Sequence, residues 1–324
     1  MTTMKDVAQH AGVSTATVSR VLNGHAAPTP ETRERVLAAI EELGYRPNAL
    51  ARSLRTTSTQ TLGLVISDLL NPFFAEIARA VEDEARSHGY CVVIGNADES
   101  AEQEATYVRT LLDRRVDGLL LCPATDDPEL VREVSAGGVP LVLLDRTVRG
   151  ATCPVVRADG SEALTALARR LVGAGHTRVG VIAGPPDTST GRERSDVFIG
   201  ALGGAAQVVH GDFRQESGSQ AAAKLIDDGA TALVAMDNLM GLGALGEIRA
   251  RGLQIPHDIA LAVFDDQPWF PLLDPPITVI AQPTVEMGRA AARSLLALID
   301  GRQPDDVRLT AKLVLRGSCG EAEL

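Results

Sequence analysis

Between Ser14 and Asn23 the small and hydrogen-bonding side chains fall into one pattern. Thr15, Ala16, Ser19 and Arg20 lie on one face of a short stretch whose other face carries Val18, Val21 and Leu22. Small or donor-bearing groups on a helix can enter a DNA major groove, where base edges offer acceptors and methyl groups. No acidic residue interrupts this stretch, so nothing on it repels phosphate. A second pattern recurs later. Asp68 and Asn71, Asn96 and Asp98, Thr125, Asp145 and Arg146, Asp237 and Asn238, and Asp265 and Asp266 each follow a short apolar run. Phe73, Phe74, Phe213 and Trp269 accompany them in a chain with only 3% aromatic residues. Carboxylates and amides beside aromatic faces suit a polyhydroxylated ring, whose hydroxyls need paired donors and acceptors while its C–H face stacks.

The elements that must hold these groups can be read around them. Met4, Val7, Ala8 and Ala11 recur at helical spacing, Gly12 permits a sharp turn and Ser14 can cap a second helix. Helix–Gly–helix is also the pattern of a plain helical hairpin. Thr29-Pro30-Glu31 then starts a third helix, to about Leu43, with Val36, Leu37, Ile40 and Leu43 on one face and Gly44 at its end. The run from Asn48 to Arg55 is too short to be a stable helix alone, and Thr56–Gln60 is a polar linker. Beyond it, strands are expected at 61–67, 90–95, 117–122, 140–144, 178–183, 231–236, 259–264 and 277–281. Helices are expected near 73–88, 101–114, 161–174, 190–202, 215–228, 239–251 and 284–300. Apolar strands alternating with helices mean parallel sheets covered on both faces, and so many units mean two sheets. Ligands of such sheets bind beyond the carboxyl ends of the strands, where the second set of polar residues falls.

Composition narrows the function. The chain has 324 residues and a net charge of −11, which argues against non-specific nucleic-acid binding by the whole molecule. Residues 1–60 are different: seven Lys or Arg against five Asp or Glu. A mildly basic end on an acidic body can aim DNA contact at one end. Cys91, Cys122, Cys153 and Cys319 have no metal or redox spacing, and three of them sit in strand-like runs as small core residues. No metal site, cofactor or catalytic Ser/His/Asp set is expected, and the chain is read as a non-enzyme. Gly241-Leu242-Gly243-Ala244-Leu245-Gly246 matches a dinucleotide fingerprint, but Asp237–Met240 separates it from the strand, so its glycines fall inside a helix and serve packing. With no signal peptide and no membrane-length apolar run, the expected location is the cytoplasm.

The motifs VSTATVSRVLNG, ETRERVLAAIEELGYRPN and ARSL closely resemble the DNA-binding headpiece and hinge helix of the lactose-repressor/galactose-repressor (LacI/GalR) family. NPFFAEIARAVEDEARSHGY, VDGLLL, LLDR, GHTRVGVIAGP, TGRER, DNLMGLGAL, FDD and PPITVIAQP resemble the same family's effector domain, so the likeness covers essentially the whole chain. It implies a small all-α helix-turn-helix headpiece (1–47), a hinge helix and linker (48–60), and an α/β two-lobed periplasmic-binding-protein-like domain (61–324). The lobes, each a Rossmann-like parallel sheet, would be 61–157 with 282–312, and 158–281 with 313–324. The implied DNA-binding residues are Ser14, Thr15, Ala16, Thr17, Ser19, Arg20, Asn23, Asn48, Ala51, Arg52 and Leu54, with Leu54 the apolar wedge of the hinge. Effector positions match Phe73, Arg146, Arg194, Asp237 and Asp265; Asn96, Phe213 and Trp269 join them from the strand-end pattern. The partners implied are a pseudo-palindromic double-stranded operator, a second copy of the chain, and a small carbohydrate effector, with no membrane. Without a leucine-heptad tail a dimer is expected rather than a tetramer. Arg146 and Arg194 are read as groups for hydroxyls or a carboxylate, able also to face a phosphate. Purine-responsive relatives carry an aromatic where Arg146 stands; a purine or another metabolite is the alternative effector, and a stand-alone sugar-binding protein the remote one. Several positions depart from the family pattern: Ser195, Val197, the reversed Asp237-Asn238 pair, and a shortened stretch from Leu202 to Gly211.

Overall fold

Thr3 begins the first helix through a reciprocal cap: its hydroxyl accepts from the Asp6 N–H, while the Asp6 carboxylate accepts from the Thr3 N–H at 2.8 Å. The structure, a computed structural model, describes residues 2–22, 28–45, 58–204 and 206–320. It divides into two units, Met1–Thr59 and Gln60–Leu324. The first holds α1 (Met4–His10), α2 (Thr15–Leu22) and α3 (Pro30–Glu42). Gly12, at φ 63°, makes the turn into α2, and the Ser14 hydroxyl accepts from the Thr17 N–H at 3.1 Å to start that helix. Val7, Ala8, Ala11, Val18, Val21, Val36, Ala39 and Tyr45 form the core of this unit. Leu37, expected to face inward, is instead 48% exposed and Ala39 takes its place. At 100° per residue, Val36, Ala39, Ile40 and Leu43 make the continuous stripe and Leu37 falls beside it.

The second unit holds two parallel sheets. Its strands are β1 (Thr61–Ile66), β2 (Cys91–Asn96), β3 (Gly118–Leu121), β4 (Leu141–Leu144), β5 (Val155–Asp159), β6 (Val179–Ala183), β7 (Ala206–His210), β8 (Ala232–Ala235), β9 (Ala260–Phe264), β10 (Thr278–Ala281), β11 (Val307–Thr310) and β12 (Lys312–Val314). Between them run α4 (Pro72–Ser87), α5 (Ala101–Asp113), α6 (Glu129–Ala136), α7 (Ser161–Gly173), α8 (Ser189–Leu202), α9 (Gln215–Asp227), α10 (Asn238–Ala250) and α11 (Thr284–Ile299). One sheet has the order β11-β5-β4-β3-β1-β2 and the other β12-β10-β9-β8-β6-β7. All pairings are parallel except that of β12 with β10. The central strands β3, β4, β8 and β9 are buried throughout, as expected of strands covered on both faces.

The chain passes between the lobes three times. It leaves the first sheet at Asp159, and α7 then buries Leu164 and Leu167 in the second lobe. It returns after Ala281, and α11 packs Met287, Ala291 and Leu295 against α4. The third passage is Ala311, between β11 and β12. The sequence pattern did not announce β5, α6, β7, β11 and β12. β7 and β11 are half-exposed and β12 is three residues long, so none of them carries a continuous apolar run. Cys122 and Cys319 are buried and Cys153 half-buried, but Cys91 is exposed, because β2 is an edge strand. Gly218 and Gly243 let α9 and α10 approach closely: a Cβ on Gly218 would lie 2.2 Å from the Met240 carbonyl oxygen, and one on Gly243 would lie 2.0 Å from that of Gln215. No described helix is long and apolar enough to cross a membrane.

Candidate functional site

The first unit presents Ser14, Thr15, Ala16 and Arg20 exposed on and just before α2, with Thr17 and Ser19 half-buried. The Ser14 and Thr17 hydroxyls are 3.0 Å apart, so both also belong to the helix start. Asn23, Asn48, Ala51, Arg52 and Leu54 lie outside the described residues.

The second unit gathers most of the strand-end residues into the cleft between its lobes. Asp98, Glu99, Asp145, Phe213 and Asp265 all adopt left-handed backbone, with φ between 51° and 72°. Such conformations are costly for residues with side chains, and their clustering at strand ends marks a site. From the first lobe, Arg146 follows β4 and is 4% exposed. Its two terminal nitrogens donate to Glu99 at 2.7 Å each, and one also donates to the Pro123 carbonyl at 3.1 Å. Its guanidinium lies 4.8 Å from the centre of the Phe213 ring, which the second lobe supplies. The Arg146 Nε is buried without a hydrogen-bond partner among the described residues.

Arg194, on α8 of the second lobe, stacks 3.9 Å over Phe264 and donates to the Met236 carbonyl at 3.1 Å. It lies 3.5 Å from Asp145 and 3.8 Å from Asp265. Asp265 accepts from the Gln282 amide at 2.7 Å, and burial pushes its carboxyl up to about 6. Burial also raises Asp145, against the pull of Arg194. Both arginines expected to be available for a ligand anion are therefore already engaged with carboxylates.

Asp237 has another task beside any ligand role. It caps α10, accepting from the Leu239 and Met240 N–H groups at 2.8 and 3.0 Å, and burial raises its carboxyl to about 7. The reversed pair thus leaves Asn238 free to bridge the lobes, where it bonds Asn71, the cap of α4. Phe73 packs edge-on against Phe74 at 5.0 Å in the first-lobe core. It also lines a cavity of about 420 Å³, together with Glu76, Asp265, Asp266, Gln267 and Gln282. Trp269 is 38% exposed and lies edge-on to Phe270 at 6.4 Å, while its neighbours Pro268 and Pro271 form the cavity wall. Asn96 accepts from the Leu69 N–H at 2.9 Å and so ties one strand end to the next loop. Ser195 bonds back to the Gly191 carbonyl at 2.8 Å, and Val197 lines a smaller cavity of about 150 Å³ with Arg194 and Phe264.

Glu99 and Gln282 belong to this constellation but were absent from the sequence-based set, and Asp145 was not among its effector positions. Asp145 was visible as a strand-end residue. Glu99 lies 47 positions from Arg146, and no spacing rule connects them. Arg192 also bridges the lobes, to Asp126 at 2.6 Å.

Comparison with known proteins agrees with this architecture. Residues 3–48 match the model of bacterial regulatory proteins of the lacI family. Residues 59–316 match periplasmic binding proteins and the sugar-binding domain of the LacI family. The ribose operon repressor of Bacillus subtilis (strain 168) is 37% identical over 313 residues, covering 94% of this chain and 93% of that protein. The structure of a lac repressor dimer bound to operator and the anti-inducer ONPF superposes with a TM-score of 0.87 at 29% identity, over 99% of both chains. That of a transcriptional regulator CelR–cellobiose complex gives a TM-score of 0.72 at 34% identity, over 98% of this chain and 100% of the other. The chain belongs to the LacI family of bacterial regulatory proteins: it is a DNA-binding transcription regulator with an effector-binding domain, and not an enzyme.

Proposed function

We propose that this chain is a homodimeric repressor of a pseudo-palindromic operator, whose DNA affinity is switched by a small carbohydrate held in the cleft. The observation that carries the reading is the meeting of both lobes at one place: Arg146 from the first lobe against Phe213 from the second, and Arg194 of the second against Asp145 of the first. A ligand held from both sides has unequal affinity for open and closed lobes, and only such a difference can move the DNA equilibrium. Aromatic faces beside paired donors and acceptors favour a sugar. The cavity of about 420 Å³ beside Phe73 and Asp265 has the size of a small-ligand site. Two similar proteins, one named for the ribose operon and one solved as a cellobiose complex, point the same way.

Thr15 and Ala16 set base preference in this reading, and Arg20 contacts a guanine edge or phosphate. Leu54, in the hinge segment from Asn48 to Arg55, serves as the apolar wedge on DNA in this reading. A single headpiece makes too few base contacts for useful specificity, and twofold pairing doubles them. Dimerisation is supported by the edge strand β2, which exposes 41% of Val93 and 42% of Ile94. An exposed apolar edge is a ready template for pairing with another chain. A thermal-shift screen of sugars, sugar acids and nucleobases tests the ligand class. Stabilisation by sugars is expected; stabilisation by purines alone would overturn it.

A further inference from the structure

Glu99 takes both terminal nitrogens of Arg146, and the two side chains are only 11% and 4% exposed. Arg194 lies between Asp145 and Asp265. Asp237 feels Asp265, Glu99 and Arg194. The terminal nitrogens of Arg146 are thus taken, and its guanidinium offers no paired edge to an incoming anion. What remains is one buried donor, the Arg146 Nε, without a hydrogen-bond partner among the described residues and 4.0 Å from an Asp145 oxygen. One N–H beside one carboxylate fits a hydroxyl, which accepts from the first and donates to the second. A phosphate or carboxylate would gain that single N–H while meeting the Glu99 carboxylate on the same guanidinium.

The loop bearing Glu99 is also held in place. Asp98 and Glu99 are both left-handed, at φ 51° and 53°. Arg214, from the other lobe, donates to the Asp98 carbonyl at 2.8 Å and lies 3.3 Å from its carboxylate. Moving Glu99 aside to free Arg146 would break that contact.

We propose that the cleft selects uncharged, hydroxyl-bearing ligands against phosphate esters and sugar acids, and that Glu99 sets this selection by occupying the terminal nitrogens of Arg146. The inference rests on the carbohydrate reading above and names the charge class that reading leaves open.

Matched pairs test it on the full chain by calorimetry: D-ribose with ribose 5-phosphate, D-glucose with glucose 6-phosphate and with gluconate, cellobiose with cellobionate. The neutral member of a binding pair should bind at least roughly tenfold more tightly than its charged partner. Glu99→Gln and Glu99→Ala should each narrow that gap, whereas Glu102→Gln, which removes an exposed carboxylate from the same lobe, should leave it. Both ligands are compared on one variant, so partial unfolding does not move the ratio. A charged member binding the wild-type chain as tightly as its parent overturns the selection and leaves the carbohydrate reading standing. An unchanged gap in both Glu99 variants overturns the role of Glu99. If no member of any pair binds, the carbohydrate reading falls and this inference with it.

Discussion

The side-chain amides of Asn71 and Asn238 hydrogen-bond reciprocally across the cleft, at 2.9 and 2.8 Å, both residues being almost fully buried. Each amide also anchors its own helix start: the Asn71 oxygen accepts from the Phe73 N–H, and the Asn238 oxygen from the Leu239 N–H. The pair joins the start of α4 to the start of α10, so it holds the lobes at the base of the cleft. Removing one partner leaves a buried amide half-satisfied, which costs about 1–3 kcal/mol. Asn71→Ala and Asn238→Ala should therefore be non-additive in urea unfolding, with a coupling of about 1 kcal/mol. Simple additivity would show that the bond does not hold the lobes.

Burial pushes the Glu104 carboxyl up to about 7, although its oxygen accepts the Ala124 N–H at 2.6 Å. The folded state therefore keeps a proton that the unfolded chain has lost, between about pH 4.5 and pH 7. Stability contributed by the protonated form is present below that window and is lost as pH rises through it. Glu104→Gln keeps the acceptor and removes the charge. Its stability relative to wild type should rise between pH 5 and pH 8 by an amount on the order of 1–3 kcal/mol. Parallel pH curves for the two proteins would contradict the burial argument.

On the DNA side, Arg20→Ala should weaken operator binding by about 1–3 kcal/mol for a bidentate base contact. A gel-shift titration with unchanged affinity removes Arg20 from the contact set.

Val93→Asp places a charge on the exposed face of β2. If that edge meets its counterpart in a dimer, sedimentation should show a shift towards monomer and operator affinity should fall with it. A dimer as tight as wild type would move the interface elsewhere.

Much of this was legible in the sequence, for physical reasons that differ by element. α2 was readable because capping, turn and amphipathic signals agree between Gly12 and Leu22. The strand ends were readable because buried parallel strands are continuous apolar runs, and a polar residue must mark where each stops. The edge strands β7, β11 and β12 carry no such run and were missed. Gly241 and Gly243 were rightly assigned to packing, since a Cβ there would strike Val263 or the Gln215 carbonyl, whereas one on Gly246 would meet nothing within 4 Å. Which side chains would meet was less legible. The Glu99–Arg146 pair depends on two left-handed residues at 98 and 99, and the Asn71–Asn238 pair spans 167 positions. Sequence showed that Arg146 and Arg194 stand at strand ends and helix starts, but not that carboxylates already hold them.

The central claim is that occupancy of the cleft changes DNA affinity. The most direct measurement is fluorescence-anisotropy titration of the full chain, and of Asp265→Ala, onto an operator selected from a random duplex pool, with and without a sugar that raises the melting temperature. Asp265 is bound to Gln282 and faces Arg194, so its loss should weaken ligand binding and leave DNA binding by the ligand-free protein nearly intact. The sugar should shift wild-type affinity by about 5–150-fold, the usual range of allosteric coupling, and Asp265→Ala should no longer respond at the same concentration. A sugar that binds the cleft yet leaves operator affinity unchanged, or a folded Asp265→Ala that responds like wild type, would contradict it.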